Sequence, residues 1–185
     1  MLIIKKADKS DFKKIHKLYV EAFPKEERCP FFFLKHRAVK GKGELLSVYS
    51  KEADKETFIA MVSILSNDEI AYLFFFAIQK EYRGKEYGSQ ILKMLPELYE
   101  GKKLFLAREQ LDDNAENNAQ RIRRHNFYLR NGFEDWPLLL QEASVIYDAM
   151  GIGSPIEPEE YEKLLTNWGG RLYTHFIKIK GYKKE

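Results

Sequence analysis

The sequence has little of what several classes of protein require. It contains a single cysteine, Cys29, so no disulfide can form within the chain, and it has no run of about 18 apolar residues that could span a membrane. Its positive charge exceeds its negative charge by only 3, from 31 basic and 28 acidic residues, which is too little to require a nucleic-acid or membrane partner. A disulfide scaffold and a helical membrane protein are therefore excluded.

Histidine and cysteine are also too sparse to suggest a metal or thiol site. His16, His36 and His175 are scattered without the spacing of metal ligands, and Cys29 has no triad pattern of partner residues around it. We therefore expect no metal and no thiol nucleophile.

The N-terminus begins with four apolar residues followed by charges, which is not the basic-then-apolar order of a secretory signal, and we predict a cytoplasmic protein.

What is present indicates one folded domain. Hydrophobic residues make up 44% of the chain and aromatic residues 14%, and 185 residues are enough for one domain with a core but too few for two. We predict an α/β (α+β) fold in which residues 1–150 form the main domain. Residues 151–185 are expected to add a short C-terminal helix and strand packed on the same domain.

Hydrophobic periodicity gives the order of the elements. The run IAYLFFFAI, residues 70–78, has the composition of a central strand covered on both faces. Pro96 is expected to kink or end the helix that follows, and Gly132 to end a later one. The predicted strands are 2–6, 44–50, 57–65, 70–78, 103–108, two within 133–153, and 171–180; the predicted helices are 12–23, a short one before Gly41, 91–99, 116–131 and 157–167.

The stretch EYRGKEYGSQIL, residues 81–92, has the features of an anion site. A glycine-bearing turn between a strand and a helix start collects unpaired backbone N–H groups, where the helix dipole also favours negative charge. Gly84 and Gly88 would let a phosphate approach the backbone, and Arg83 and Lys85 add positive charge. On these features alone, an ordinary strand-to-helix connection is the competing interpretation.

Two motifs in this order resemble those of the GNAT superfamily of acetyl-CoA-dependent N-acetyltransferases. Arg83 to Gly88, followed by Ser89, resembles the acetyl-CoA-binding signature, and FYLRNGF, residues 127–133, resembles the late helix in which a tyrosine precedes a Gly-Phe pair. The resemblance covers residues 2–150 and implies a GNAT-like domain with a mixed, mostly antiparallel central sheet flanked by helices. It implies direct acetyl transfer from acetyl-CoA, as cosubstrate, to a primary amine of a small molecule or peptide.

The resemblance also implies roles for individual residues. The pantetheine chain would lie in a gap beside the central strand and bond to the main chain of Phe76 and Ile78. The pyrophosphate would be bound by the loop, and Tyr128 would donate a proton to the departing CoA thiolate. The loop residues implied in cofactor binding are Arg83, Gly84, Lys85, Glu86, Tyr87, Gly88 and Ser89.

The general base is less well defined, because the central strand carries Phe74 where many family members carry an acidic residue. Glu27, Glu69 and Glu109 are the substitutes, and we favour Glu27 because the loop between the first helices usually lines the acceptor site in that family. A solvated surface glutamate is the alternative. The motif Phe31 to Phe33 could form an apolar wall over the acceptor or pack into the core, and core packing is the commoner fate.

A cluster of basic residues lies on the late helix. Arg121 and Arg124 share a helical face with Tyr128, which favours a role in binding CoA phosphates over a solvated face or a small nucleic-acid patch. Nucleic-acid binding is the weakest alternative, since no aromatic residues are interleaved there for base stacking.

A CoA-binding module without catalysis is the main alternative to an enzyme. We expect a monomer or homodimer with no membrane partner.

Glu86 is the departure from the family pattern, because it occupies the first glycine of the signature. A carboxylate facing a pyrophosphate would be repelled by it. We therefore expect the side chain to turn outward, toward Arg83 or Lys85, while the peptide N–H groups still face the ligand. The backbone at this position is expected to adopt a conformation that a residue other than glycine tolerates.

Overall fold

A computed structural model describes residues 1–53 and 55–184. For residues 26, 171, 172, 174, 175 and 176 only the backbone is described. The expectation that His175 binds no metal concerns a side chain outside this description. Within it, no helix is both long enough and apolar enough to cross a membrane.

Eight strands form one sheet in the order β1-β2-β3-β4-β5-β7-β6-β8. Neighbouring strands with a described register run antiparallel, including the long β2–β3 and β5–β7 pairs. The fold is therefore α/β with a mixed, mostly antiparallel sheet, as predicted. The strands are β1 Leu2–Lys6, β2 Glu44–Glu52, β3 Lys55–Ser66, β4 Ile70–Ile78, β5 Lys103–Glu109, β6 Glu134–Glu142, β7 Val145–Ile152 and β8 Ile179–Lys183.

The described residues contain five α-helices, and each begins and ends where the local sequence allows. Pro96 lies near the end of α3 rather than in its middle, which limits the damage its missing N–H causes. Gly132, which follows the C-cap residue Asn131 of α4, takes a φ of +85°, and Phe133 N donates to Tyr128 O over 3.2 Å to close that helix. The helices are α1 Phe12–Ala22, α2 Phe31–Val39, α3 Tyr87–Leu98, α4 Asn118–Arg130 and α5 Pro158–Phe176.

Within this domain the chain divides into two compact units. The first comprises residues 1–65 and 73–95, and the second residues 66–72 and 96–185. The first unit buries one aromatic cluster in which the ring of Tyr19 lies 4.9 Å from that of Phe75 and 5.9 Å from that of Phe31. Phe23 also meets Phe75, with ring centroids 5.0 Å apart. The cluster fixes α1 and the start of α2 against the middle of β4.

The second unit has its own aromatic core. Tyr72 stacks on Phe105 with ring centroids 4.7 Å apart, and Phe105 in turn stacks on Trp136 at 6.0 Å. Gly151 makes this arrangement possible, since a Cβ at that position would lie 2.1 Å from the Trp136 ring. These contacts join the start of β4 to β5, β6 and β7.

The C-terminal segment differs from the prediction. A strand was expected over residues 171–180 after a helix ending at 167, but the backbone continues as α5 to Phe176 and the strand is Ile179–Lys183. Gly170, with a φ of +75°, kinks the helix without ending it. Trp168 packs edge-on against Tyr173 across the kink, with ring centroids 5.1 Å apart, and this contact supports the second half of the helix. The glycine pair was therefore a kink rather than a terminator.

Candidate active site

The loop between β4 and α3 has the backbone shape of an anion cradle. A short 3₁₀ turn, Lys80–Tyr82, follows the strand, and Gly84 then takes a φ of +72°, which favours glycine. Helix α3 starts at Tyr87. The first backbone N–H group of this helix to donate a hydrogen bond is that of Gln90, to Glu86 O over 3.0 Å. The chain thus turns sharply from strand into helix over a few residues.

The peptide N–H groups of residues 84–89 have no protein acceptor. Within the described parts of the chain, none of these six groups donates a hydrogen bond, whereas those of Tyr82 and Arg83 close the preceding turn. Consecutive unpaired N–H groups at a helix N-terminus attract anions through their partial charges and the helix dipole. The loop residues therefore fit a phosphate group on geometric grounds.

Positive charge flanks this loop. Arg83 donates from Nε to Ile78 O over 2.9 Å, which ties the loop to the end of β4 and positions the guanidinium beside it. The ammonium of Lys85 lies 5.5 Å from the centroid of the Tyr82 ring, within cation–π range. Tyr82 also meets Tyr87 edge-on at 6.0 Å, so the two ends of the loop are braced by aromatic contact.

Glu86 is exposed and its backbone has a φ of +60°, in the left-handed region that L side chains adopt at a cost. The side chain is outward, and its carboxylate makes no ion pair with Arg83, Lys85 or any other described side chain. The backbone thus keeps the conformation that glycine prefers, although the residue is not glycine. The expected pairing with Arg83 or Lys85 is absent.

Phe76 and Ile78 lie near the carboxyl end of β4, on the less buried side of the strand. They alternate with Phe75 and Ala77, which are 6% exposed each. The carbonyl oxygen of Ile78 already accepts the bond from Arg83, and its second lone pair stays available. Both residues were predicted to offer main-chain bonds to a ligand, and that role stays a prediction.

Tyr128 lies on α4, about one turn before Gly132. Its ring packs against Phe127 and edge-on against Phe133, with centroids 5.5 and 5.7 Å away. Its hydroxyl bonds to none of the described residues and is not among their fully enclosed polar atoms. Burial raises the pKa of Tyr128, an effect that the charge of Arg124 partly opposes. The phenol is therefore protonated at neutral pH and keeps a proton to donate.

Arg121 and Arg124 are engaged with Glu109, a partner that the sequence did not indicate. Arg124 Nη1 lies 2.8 Å from Glu109 Oε2, and Arg121 Nε lies 3.3 Å from Glu109 Oε1. Arg121 Nη1 also donates to Gln110 O over 2.8 Å. Both arginines were predicted to bind CoA phosphates, and much of their hydrogen-bonding capacity is directed to β5 instead. Glu109, considered as a base, is paired with two cations.

The other candidate bases lie on different parts of the fold. Glu27 ends the 3₁₀ turn Lys25–Glu27 between α1 and α2, and its backbone N donates to Pro24 O over 3.1 Å. Glu69 is exposed and immediately precedes β4, so it lies at the opposite end of that strand from the loop. Of the predicted bases, Glu27 is the one that lies in the loop between α1 and α2.

Phe31, Phe32 and Phe33 do not share one environment. Phe31 stacks on His16 at 4.5 Å and contacts Tyr19, whereas Phe32 is 74% exposed. Arg37 lies over the Phe33 ring at 5.6 Å. The motif is therefore split between packing against α1 and exposure to solvent.

A buried charge network in the second unit was also missed by the sequence reading. Arg108, 6% exposed, lies 3.0 Å from Asp135 and 3.1 Å from Asp148, and His125 Nε2 lies 2.7 Å from Asp135. Burial alone would raise the pKa of Asp135, but the hydrogen bonds from Arg108 and His125 hold it below its ordinary value. An arginine in the otherwise apolar run LFLAR was the available signal, since such a residue needs buried carboxylate partners. The described residues contain no group of three histidine, cysteine or acidic side chains that could hold a metal ion.

Comparison with known proteins now identifies the family. A family model described as the acetyltransferase (GNAT) domain matches residues 43–135, half of the chain. The chain belongs to this acetyltransferase family. The matched region contains the β4–α3 loop and Tyr128, and the GNAT assignment confirms both the resemblance and the acyltransferase class predicted from the sequence.

Solved structures share this GNAT fold at low sequence identity. A protein of Bacteroides thetaiotaomicron assigned to the same family aligns with a TM-score of 0.65 and 22% identity, over 92% of this chain and 98% of that one. The ribosomal-protein-S18-alanine N-acetyltransferase of Escherichia coli aligns with a TM-score of 0.57 and 16% identity, over 86% and 97% of the two chains. No curated protein matches the sequence.

A third structure bears on the cosubstrate. An aminoglycoside 6′-N-acetyltransferase solved with coenzyme A aligns with a TM-score of 0.58 and 12% identity, over 83% of this chain and 99% of that one. Together with the family match, it supports acetyl-CoA as the cosubstrate of this chain, as the sequence predicted.

Proposed function

We propose that this GNAT protein transfers the acetyl group of acetyl-CoA directly to a primary amine of a small molecule or peptide. The observation that carries the proposal is the run of unpaired N–H groups at residues 84–89, next to a strand whose last residues are predicted to pair with pantetheine. Family members act on amines of several kinds, which supports the amine class without selecting one.

Binding of the cosubstrate is assigned to the first unit. The N–H groups of residues 84–89 hold the pyrophosphate, with Arg83 and Lys85 supplying charge, and Phe76 and Ile78 offer main-chain bonds to the pantetheine arm. Tyr87, Gly88 and Ser89 form the first turn of α3 and contribute their backbone. Arg121 and Arg124 take part only to the extent that their pairing with Glu109 leaves donors available.

The chemical step needs a base, an acid and correct positioning. The amine nitrogen attacks the thioester carbonyl carbon, the new C–N bond forms as the C–S bond breaks, and the sulfur leaves as a thiolate. Glu27 takes a proton from the amine, directly or through water, and Tyr128 donates a proton to the thiolate. Tyr128 suits this role because its raised pKa keeps it protonated. Positioning and charge stabilisation supply the rest of the rate enhancement.

A CoA-binding module without catalysis is the second candidate. Two observations favour it: the aromatic run around Phe74 in β4 carries no carboxylate, and Glu86 places a negative charge in the loop. Both candidates share the same cosubstrate site. The predicted monomer or homodimer state, the cytoplasmic location and the absence of a nucleic-acid partner belong with the proposal as predictions.

Two linked measurements separate the candidates. Thermal melting with acetyl-CoA is expected to show stabilisation at micromolar concentrations, and a free-thiol assay over a panel of amines is expected to show release above the amine-free rate. Absence of stabilisation up to about 1 mM acetyl-CoA would reject both candidates, since a ligand that binds the folded state must stabilise it. Stabilisation without thiol release from any amine would favour the binding module.

A further inference from the structure

Charged residues are distributed unevenly along the chain, although its net charge is small. Residues 1–42 contain 12 basic and 5 acidic residues, whereas residues 43–185 contain 19 basic and 23 acidic residues. Residues 1–42 therefore have a net charge of +7, and they comprise β1, α1 and α2, all within the first unit. The net charge of +3 is therefore the difference between a basic N-terminal segment and an acidic remainder.

Just over half of the positive excess of residues 1–42, +4 of +7, lies in the stretch of sequence that contains Glu27. Only two acidic residues, Glu26 and Glu27, lie between positions 24 and 43, against six basic ones. Four lysines of this stretch are exposed, and none forms an ion pair with a described carboxylate. One of them, Lys35, lies 5.2 Å from the Phe12 ring, which leaves its charge on the surface shared by α1 and α2. The four are Lys25, Lys35, Lys40 and Lys42.

Arg28 adds a cation that is poorly satisfied within the protein. Its Nε is enclosed and has no hydrogen-bond partner among the described residues, and the side chain makes no ion pair with them. The loop that carries it is held in place, because Tyr19 donates its hydroxyl to Cys29 O over 3.0 Å. The two terminal nitrogens of the guanidinium are not among the enclosed polar atoms, so an anionic group of a ligand can reach them and accept a charge-assisted hydrogen bond there.

We propose that the acceptor of this enzyme is an anionic amine, one whose primary amine stands close to a carboxylate or phosphate. The inference rests on the proposed function, since it takes Glu27 as the base and hence the surroundings of Glu27 as the acceptor's environment. The uncompensated cations raise the local concentration of an anionic acceptor and repel a polycation such as a polyamine or an aminoglycoside. Arg28 is the residue placed to bind the anion.

Two sources could supply this chemistry, and matched acceptors distinguish them. For peptides, the amidated tetrapeptides Ala-Asp-Asp-Gly, Ala-Ser-Ser-Gly and Ala-Arg-Arg-Gly differ in charge but share one α-amine. For small molecules, phosphoethanolamine is compared with ethanolamine, and spermidine serves as the polycation. The assay measures kcat/KM for thiol release from acetyl-CoA by the full chain, at low salt and at about 0.5 M NaCl, where charge interactions are screened.

The expected result is a preference of about tenfold for the anionic member of at least one set at low salt, falling toward equality at high salt. A preference confined to the peptides identifies an acidic N-terminus as the source, and one confined to phosphoethanolamine identifies a small anionic amine. Equal kcat/KM across both sets, or higher values for the arginine peptide or spermidine, would overturn the inference while leaving the proposed function intact. Thiol release from no acceptor would reject the proposed function and this inference with it.

Charge-removing variants connect the preference to this surface. The double variant Lys25→Gln/Arg28→Gln is expected to reduce the preference for the anionic acceptor at least threefold, because it removes two nearby positive charges. Its effect on kcat/KM for the neutral peptide should be smaller. Lys51→Gln removes an exposed lysine of β2 that is outside the segment and is expected to leave the preference unchanged. An equal loss of activity toward all acceptors in the double variant, with the preference preserved, would contradict the assignment.

Discussion

Arg83 and Ile78 are joined by a hydrogen bond of 2.9 Å, from the guanidinium Nε to the main-chain oxygen. The bond links the β4–α3 loop, the proposed phosphate site, to the strand end where the pantetheine arm is proposed to pair. Because Nε is the donor and the two terminal nitrogens of the guanidinium bond to no described residue, those nitrogens stay available to an anion. A single side chain thus fixes the loop and contributes charge to it.

Replacing Arg83 with lysine tests this double role. Lysine keeps the positive charge but lacks the fork that can bond to Ile78 O and to a phosphate at once. We expect Arg83→Lys to weaken acetyl-CoA binding about tenfold, as the loss of one charge-assisted hydrogen bond implies. Titration calorimetry measures the change, and Lys80→Gln, which alters a charge in the preceding turn, serves as the control. An unchanged Kd for Arg83→Lys would show that the bond to Ile78 is irrelevant to binding.

Two substitutions at Glu86 separate its charge from its backbone conformation. Glu86→Gln removes the carboxylate but keeps an L side chain at a φ of +60°, whereas Glu86→Gly removes both the charge and the strain. We expect both to bind acetyl-CoA as well as wild type or up to about threefold better, with the gain largest at low ionic strength. In urea unfolding, the Glu86→Gly protein should also be more stable than the Glu86→Gln protein by up to about 1 kcal/mol. A marked loss of binding in either variant would reveal a positive role for the carboxylate.

Local features were predicted well from the sequence, and long-range ones were not. The bounds of β4 and the loop with Gly84 follow from adjacent residues, because an apolar run and a glycine turn fix the backbone locally. The pairing of Arg124 with Glu109 joins residues on different elements, 15 positions apart, and no local pattern encodes it. The strand predicted at 171–180 was a local error of another kind, because a glycine pair can bend a helix as well as end it. Gly170 indicated a break, but packing of Trp168 against Tyr173 continues the helix.

Glu142 makes stability depend on pH in the second unit. Burial raises the pKa of Glu142 above its ordinary 4.5, although Tyr72 and Tyr161 both donate hydrogen bonds to its Oε1, over 2.8 and 3.1 Å. A carboxyl group whose pKa is raised on folding binds its proton more tightly in the folded state. Its contribution to stability is therefore fully present below pH 4.5 and is lost as the pH rises through the folded value.

The variant Glu142→Gln removes this dependence while keeping an oxygen acceptor for both tyrosines. We expect the free energy of unfolding of Glu142→Gln, minus that of wild type, to be larger at pH 8 than at pH 5. Urea unfolding at each pH measures this difference. Glu134→Gln, at the exposed start of β6, provides the control because it should show no such difference. A relative stability of Glu142→Gln that is constant or falls with pH would contradict the assignment.

The Arg108 network should dominate the stability of the second unit. Arg108→Met leaves the carboxylate of Asp148 without its buried partner and Asp135 without one of its two. Removal of one member of a buried pair typically costs about 3–5 kcal/mol, and the pairing of Lys184 with Asp148 places the expected loss near the lower end. Arg123→Met, at an exposed position of α4, should change the free energy of unfolding by less than about 0.5 kcal/mol. Equal effects of the two variants would show that the buried pairs contribute nothing.

The most direct test of the account is the turnover of Tyr128→Phe. The substitution removes only the hydroxyl, so the ring contacts with Phe127 and Phe133 and the stabilisation by acetyl-CoA should persist. With an accepted amine, kcat for thiol release is predicted to fall about 100-fold, the lower range for loss of a general acid. Tyr182→Phe, which removes an exposed hydroxyl bonded to Gln141, should retain wild-type kcat. A Tyr128→Phe protein that binds acetyl-CoA and turns over at the wild-type rate would contradict the proposed mechanism.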